Sequence, residues 1–194
     1  MRWNRKKFVL TVLLVVLPVS VVGGLLLDRS SDDVDVNLND PGVGQTPGIG
    51  TNAPAALQRL AFTPVIDVAT GQTVTLAPTG KPMVVNFWFS YCEPCKREMP
   101  ALAAAAVTYA ESVTFLGVNP VDTVASAAGF IEDHGVTFAN YLDPQGEQLS
   151  EAGVTSIPTT LFLDAEGRVA HSVSGEIDEE YIAGILRDVL GVAA

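Results

Sequence analysis

The sequence is short of positive charge. It contains 11 Lys and Arg residues against 22 Asp and Glu residues, which gives a formal net charge of −11. Nucleic-acid binding depends on clustered basic side chains that neutralise phosphates, so this composition excludes a nucleic-acid partner. Residues 1–50 carry five basic and five acidic side chains, and the whole acidic excess therefore lies in residues 51–194.

Cysteine and histidine are also scarce, at two residues each. A structural zinc site usually takes four ligands, and beyond Cys92 and Cys95 the chain offers only His134 and His171, which lie in unrelated segments. We therefore predict no metal site and no cofactor. No cysteine follows the apolar segment near the amino terminus, which argues against a lipid anchor there.

The first thirty residues differ in character from the rest of the chain. Four basic residues within segment 1–7 precede an uncharged apolar run at 8–27. A helix of that length spans about 30 Å, the thickness of a bilayer core, and basic residues before it favour a cytoplasmic amino terminus. We predict a cytoplasmic tail at 1–7, a single transmembrane anchor at 8–27 and an extracytoplasmic remainder at the cell membrane. The alternative is a cleaved signal peptide, for which residues 22–24 supply small side chains.

The segment that follows is rich in Asp, Asn, Gly and Pro and almost free of aromatic residues. Such a composition cannot bury enough apolar surface to order itself, so residues 28–52 are predicted to be a flexible linker. Residues 53–194 are then long enough for one folded domain.

Apolar periodicity and turn residues divide this domain into alternating strands and helices. The predicted strands are 62–68, 73–76, 83–89, 113–118, 137–142, 159–163 and 169–174, and the predicted helices are 93–109, 123–134, 145–152 and 178–190. The first two strands form a hairpin, and the third is apolar throughout except for Asn86, as in a strand covered on both faces. The order predicts an α/β fold with a mixed sheet flanked by helices.

The candidate chemistry is concentrated in the cysteine pair, which stands between a predicted strand and a predicted helix. Two cysteines at this spacing lie within bonding reach, and the first is the more exposed of the two. The positive end of the helix favours a thiolate at Cys92. We therefore predict that Cys92 is the nucleophile and that Cys95 resolves the mixed disulfide.

The two residues between the cysteines have different effects. Pro94 suits the first helical turn, where its missing N–H is harmless. Glu93 places a negative charge beside the nucleophile, which opposes thiolate formation and is partly offset by Lys96 and Arg97. A higher thiol pKa goes with a more reducing couple, so these charges favour a reductant.

Several motifs together resemble the TlpA/ResA branch of the thioredoxin superfamily. They are the segment 84–88 (VVNFW), the cysteine motif 92–100 (CEPCKREMP), the segment 80–82 (GKP) and the segment 154–160 (VTSIPTT). The likeness covers residues 57–190. It implies a thioredoxin-like fold, here with an amino-terminal β-hairpin extension and a transmembrane helix before it.

The resemblance assigns roles to residues around the cysteines. Pro158 is expected to follow a cis peptide bond beside the pair, and the backbone of Ile157 is expected to pair with an incoming substrate strand. Substrate contacts are further expected at Tyr91, Glu93 and Pro94. Tyr91 departs from the family, which usually has tryptophan there.

Glu98 follows Cys95 by three residues, about one helical turn. Similar membrane-tethered proteins of this branch have a glutamate at this point, near the active-site cavity. The resemblance implies that Glu98 tunes the pKa of a cysteine or relays a proton. The alternative is a solvated helix residue.

The resemblance also implies partners. Disulfide-containing extracytoplasmic proteins, apocytochrome c among them, are the expected substrates, and a membrane thiol transporter of the CcdA or DsbD type is the expected electron donor. The predicted function is the reduction of protein disulfides by dithiol–disulfide exchange, in cytochrome c maturation.

Alternatives remain beside this prediction. A disulfide-forming oxidant would use the same residues in the reverse direction. A copper carrier resembling the Sco family would instead combine cysteines with His134 or His171. A peroxiredoxin places Thr or Ser three residues before its reactive cysteine, where this chain has Phe89, and a purely structural disulfide across two residues would constrain little of the unfolded chain.

Overall fold

The computed structural model describes residues 58–193, and within them one mixed sheet of seven strands forms the centre of the domain. The strands are β1 (Pro64–Asp67), β2 (Thr73–Thr75), β3 (Met83–Phe87), β4 (Thr114–Asn119), β5 (Ala139–Leu142), β6 (Thr159–Leu163) and β7 (Val169–Ser174). Their order across the sheet is β2-β1-β5-β4-β3-β6-β7.

Four helices connect or follow these strands in the described part of the chain. They are α1 (Glu93–Thr108), α2 (Val124–Asp133), α3 (Glu147–Glu151) and α4 (Glu179–Asp188). Side chains cap three of them, because Cys92, Thr123 and Asp178 each accept a hydrogen bond from the backbone N–H three residues later. The helix starts are therefore set by local sequence.

Pairing of the strands confirms the predicted α/β class. Strands β3, β4 and β5 are parallel, as expected for strands joined through α1 and α2. The β6–β7 hairpin adds to β3 in antiparallel fashion on one side. The predicted β1–β2 hairpin pairs with β5 on the other side and extends the sheet there.

Both faces of β3 are covered, which explains its unbroken apolar sequence. On one face Val84 belongs to a cluster that includes Met99 of α1, Phe130 of α2 and Ile182 of α4. On the other face Phe87 packs in a second cluster to which Leu149 of α3 adds. Burial on two faces is what a central parallel strand requires.

The third strand ends two residues earlier than the sequence predicted. The N–H of Trp88 still donates to the carbonyl of Val118, but the carbonyl of Phe89 accepts from the N–H of Cys92. This turn takes Phe89 out of the sheet and begins the loop that carries the cysteines.

The predicted tail, anchor and linker, at 1–7, 8–27 and 28–52, lie outside the described residues. Within residues 58–193, no helix is both long enough and apolar enough to cross a bilayer.

Candidate active site

The cysteine pair occupies the amino-terminal end of α1 as a disulfide between Cys92 and Cys95, with their Cα atoms 5.2 Å apart. Cys92 is the N-cap, and its Sγ accepts a hydrogen bond of 3.2 Å from the N–H of Cys95. The solvent-exposed fraction is 5% for Cys92 and 0% for Cys95. An incoming sulfur can therefore reach Cys92 alone, although Cys92 is more enclosed than its sequence position suggested.

The charges around the pair form two separate ion pairs on the surface. Lys96 Nζ lies 2.5 Å from Glu93 Oε1, and this contact lowers the pKa of Glu93, chiefly through the hydrogen bond. Arg97 instead binds Glu176 at 2.7 Å. Of the two cations expected to offset the charge of Glu93, Lys96 therefore pairs with Glu93 itself. Arg97 pairs with a carboxylate on a different segment.

A polar clamp holds the loop before Cys92. Asp122, in the loop between β4 and α2, accepts hydrogen bonds from the N–H of Ser90 (2.7 Å) and from its hydroxyl (2.9 Å). Asn119 supports the clamp by donating to Asp122 at 2.7 Å. The clamp could not be predicted from the sequence, because its two sides are 32 residues apart in the chain.

Trp88 forms the floor beneath this loop. Its ring is fully buried, stacks on Phe130 at 4.5 Å between centroids and donates from Nε1 to Asn140 Oδ1 at 2.9 Å. Gly117 makes room for the contact, since it pairs with Asn140 across the sheet and a Cβ there would overlap Asn140 Oδ1 and lie 2.7 Å from Trp88 Nε1.

We expect Gly117→Ala to lower the free energy of unfolding by about 1–3 kcal/mol, because the added methyl overlaps rigid neighbours. Urea unfolding measures this. The matched control is Gly129→Ala on α2, where a Cβ meets no atom within 4 Å and alanine favours the helix by up to about 1 kcal/mol. Equal effects of the two substitutions would contradict the packing argument.

The residues predicted to contact substrate lie around the pair. The Ile157–Pro158 peptide bond is cis. Phe87 pairs with Thr159, so the segment that ends at Pro158 reaches the same edge of the sheet as the cysteine loop. Ile157 packs against the cluster that contains both cysteines, and Tyr91 is 64% exposed with its ring against Phe89. The structure thus gathers these residues at one edge, while their roles toward a substrate stay predictions.

Glu98 is buried on the inner face of α1, with 1% of its surface exposed, so the alternative of a solvated helix residue is wrong. Its Oε1 accepts from Asn86 Nδ2 at 2.9 Å, and its Oε2 accepts from the N–H of Ile177 at 3.3 Å. Burial raises the pKa of Glu98 from 4.5 to about 7, against the opposing effect of these two hydrogen bonds. A group with this pKa can give or accept a proton near neutral pH.

Asn86 is the polar residue that sequence analysis noted without assigning a role. It lies next to the last residue of β3 and donates to both Glu98 and Thr160. The signal available from sequence was a single amide in an otherwise apolar central strand.

The two histidines each contact a residue other than the cysteines. His134 Nδ1 contacts the carbonyl of Phe130, and His171 Nε2 contacts the hydroxyl of Tyr181. Within residues 58–193, no group of three or more His, Cys, Asp and Glu side chains is placed to hold a metal ion.

Residues 50–172 match the model of the AhpC/TSA family, a stretch that includes the cysteine motif and the cis-proline segment. The chain belongs to the AhpC/TSA family. Its place within the family is that of the TlpA/ResA-like proteins, which confirms the resemblance drawn from the motifs.

The chain is similar in sequence to two curated relatives and in fold to one solved structure. The thiol-disulfide oxidoreductase ResA of Geobacillus thermodenitrificans is 33% identical over 57% of this chain and 64% of its own length. ResA of Bacillus subtilis is 31% identical over 61% of this chain and 67% of its own length. The crystal structure of StoA from Bacillus subtilis superposes with a TM-score of 0.55 at 25% identity, over 63% of this chain and 94% of that protein. The chain thus spans about two thirds of the length of these curated relatives.

Proposed function

We propose that this chain is a thiol-disulfide oxidoreductase that reduces disulfides of extracytoplasmic proteins. The observation that carries the proposal is the Cys92–Cys95 disulfide at the start of α1, with the nucleophile at the N-cap and its partner fully buried. Membership of the TlpA/ResA-like group and relatives named thiol-disulfide oxidoreductase support it.

The reaction takes place in two exchange steps. The Cys92 thiolate attacks one sulfur of the substrate disulfide, so that a mixed disulfide forms and one substrate thiolate leaves. Cys95 then loses its proton and attacks Cys92 Sγ, which forms the internal disulfide and releases the second substrate thiolate. Two electrons pass to the substrate, and its two sulfurs take up two protons.

Glu98 would serve the second step. It lies three residues from Cys95 on the same helix and is buried, as Cys95 is. A carboxylate there accepts the proton that leaves the Cys95 thiol and returns it when the pair is reduced again. Its pKa of about 7 suits both directions near neutral pH.

Substrate would lie across the edge formed by the cysteine loop and the cis-proline segment. In this proposal Tyr91, Glu93 and Pro94 contact the substrate from one side, and the Ile157 backbone pairs with it from the other. Pro158 fixes the direction in which that backbone faces. The exposed Tyr91 ring offers an apolar contact beside the target cysteine.

The location and partners belong to the same proposal. In this proposal residues 8–27 anchor the chain in the cell membrane, residues 28–52 join this anchor to the domain, and the domain acts outside the cytoplasm. A membrane thiol transporter of the CcdA or DsbD type reduces the spent disulfide. Apocytochrome c is one substrate that fits this location, and cytochrome c maturation is the process proposed for the chain.

We expect the cysteine pair to have a reduction potential well below about −220 mV, as required of a reductant outside the cytoplasm. Equilibration of the full chain in detergent with glutathione and dithiothreitol buffers measures it, and Cys95→Ser, which cannot form the internal disulfide, is the control. A value near −120 mV would make the protein a disulfide-forming oxidant. Without a reversible two-electron couple the oxidoreductase proposal fails, and copper binding becomes the hypothesis to test.

A further inference from the structure

Asn86 occupies an unusual position in the core. It lies in the central strand β3 with 1% of its surface exposed. Its Nδ2 donates to Glu98 Oε1 at 2.9 Å and to Thr160 Oγ1 at 2.9 Å. Its Oδ1 is buried and has no hydrogen-bond partner within the part of the chain that the structure describes. Both donors of the amide are satisfied, and its acceptor is not.

An unpartnered buried acceptor is costly, so this orientation needs a reason. The reason is the carboxyl group opposite, because an ionised carboxylate can only accept hydrogen bonds. A half-turn of the amide would point Oδ1 at the same oxygen of Glu98, where it could accept from a protonated carboxyl. One asparagine can therefore serve either protonation state of Glu98, with the observed orientation fitting the ionised one.

Among the groups that face Glu98, only Asn86 can hydrogen-bond both the carboxylate and the carboxylic acid. The N–H of Ile177, in the loop before α4, donates at 3.3 Å and cannot become an acceptor. Glu176 adds a negative charge that opposes ionisation, and this charge is itself paired with Arg97. On α1, Cys95 precedes Glu98 by three residues and is bound in the disulfide. Asn86 makes the shorter of the two hydrogen bonds to Glu98 and is the partner that can adapt.

We propose that Asn86 is a positioning residue for thiol-disulfide exchange, which sets the proton affinity of Glu98 through an amide that donates to the carboxylate and accepts from the carboxylic acid. The inference rests on the proposed function, in which Glu98 exchanges a proton with Cys95. In that step the S–H bond of Cys95 breaks and an O–H bond forms on Glu98, and the amide keeps a hydrogen bond to the carboxyl before and after.

The test is Asn86→Leu, which removes donor and acceptor at similar size. We expect the ionisation constant of Glu98 to fall about tenfold, because the hydrogen bond that the amide makes to the charged carboxylate is stronger than the one it makes to the neutral acid, and the variant loses both. Carbon-13 NMR of glutamate carboxyls in the oxidised full chain measures this, with the Glu98 signal assigned by its loss in Glu98→Gln. The pH midpoint of the disulfide-reduction rate should rise by the same amount. An unchanged Glu98 titration would overturn the proposal.

Two further variants separate this role from a general loss of packing. In Glu98→Gln, the additional change Asn86→Leu should leave the pH profile of exchange unmoved, and a shift there would contradict action through Glu98. If Asn86→Leu does not fold, Asn86→Asp keeps the shape and places two carboxyls in contact. That pair should share one proton and titrate in two separated steps, the upper one above the pKa of Glu98 in the unaltered chain. A single unshifted step would also overturn the proposal.

Failure of the proposed function can be distinguished from failure of the proposal about Asn86. A chain that shows no disulfide exchange at any pH would refute the oxidoreductase proposal, while the NMR titration would still report whether Asn86 controls Glu98.

Discussion

Replacement of Cys92 by serine is expected to reduce disulfide exchange by about a thousandfold or more, down to the uncatalysed rate. Cys92 is the more accessible cysteine of the pair, and a serine hydroxyl does not ionise to a comparable nucleophile near neutral pH. Cys95→Ser should also lose turnover, but for a different reason. Its Cys92 still attacks, and without a resolving sulfur the mixed disulfide with substrate persists.

The two variants control for each other, because each lacks one sulfur and neither can form the internal disulfide. Turnover is followed with a disulfide-bonded peptide as substrate and dithiothreitol as reductant. Covalent capture is followed by gel electrophoresis after mixing with the peptide in the absence of reductant. We expect a mixed disulfide with Cys95→Ser and none with Cys92→Ser. Capture by Cys92→Ser in place of Cys95→Ser would reverse the assigned roles.

The cysteine pair and its surroundings were predictable because their signals are local. The run before the pair, apolar except for Asn86, lacks the alternation of polar and apolar residues seen in strands with one solvent-exposed face, so it predicts a central strand covered on both faces. The two-residue spacing and Pro94 predict a helix start. The bounds of β6 and β7 were predicted without error, since a turn at 164–167 separates two apolar segments. In each case neighbouring residues carry the information.

Contacts between distant segments could not be predicted in this way. The N–H of Ile177 reaches Glu98 from 79 residues away, and Asp122 holds Ser90 across 32 residues. The two residues before Glu98 are the half-buried Lys96 and the exposed Arg97, so the charges next to it in sequence give no sign that it is buried. Its burial follows from the direction in which α1 packs on the sheet, which is a property of the whole fold.

The burial of Glu98 connects function with stability. A carboxyl that exchanges a proton near neutral pH must be held at a pKa well above its ordinary value, and the same burial makes its ionised form unfavourable in the folded state. The domain therefore gives up stability at neutral pH to hold this group.

The size of this effect can be predicted from linkage. Below pH 4.5 Glu98 is protonated in both folded and unfolded chains, and no stability is lost. Between pH 4.5 and about 7 the unfolded chain releases the proton first, so the free energy of unfolding falls as the pH rises. The loss attributable to Glu98 is about 3 kcal/mol when complete, because one pKa unit corresponds to about 1.4 kcal/mol.

Glu98→Gln should remove this pH dependence, since an amide of the same shape does not ionise. Urea unfolding of the oxidised protein at several pH values gives the comparison. The variant should gain stability relative to the unaltered chain as the pH rises from 4.5 to 7, and the gain should level off above that.

Glu93→Gln is the matched control on the same helix. Lys96 lowers the pKa of Glu93, so stability from that group is lost only as the pH falls below 4.5, outside the tested window. Parallel stability curves for Glu98→Gln and the unaltered chain would show that Glu98 is not the buried proton-binding group inferred here, and the role of its carboxyl in exchange would have to be given up as well.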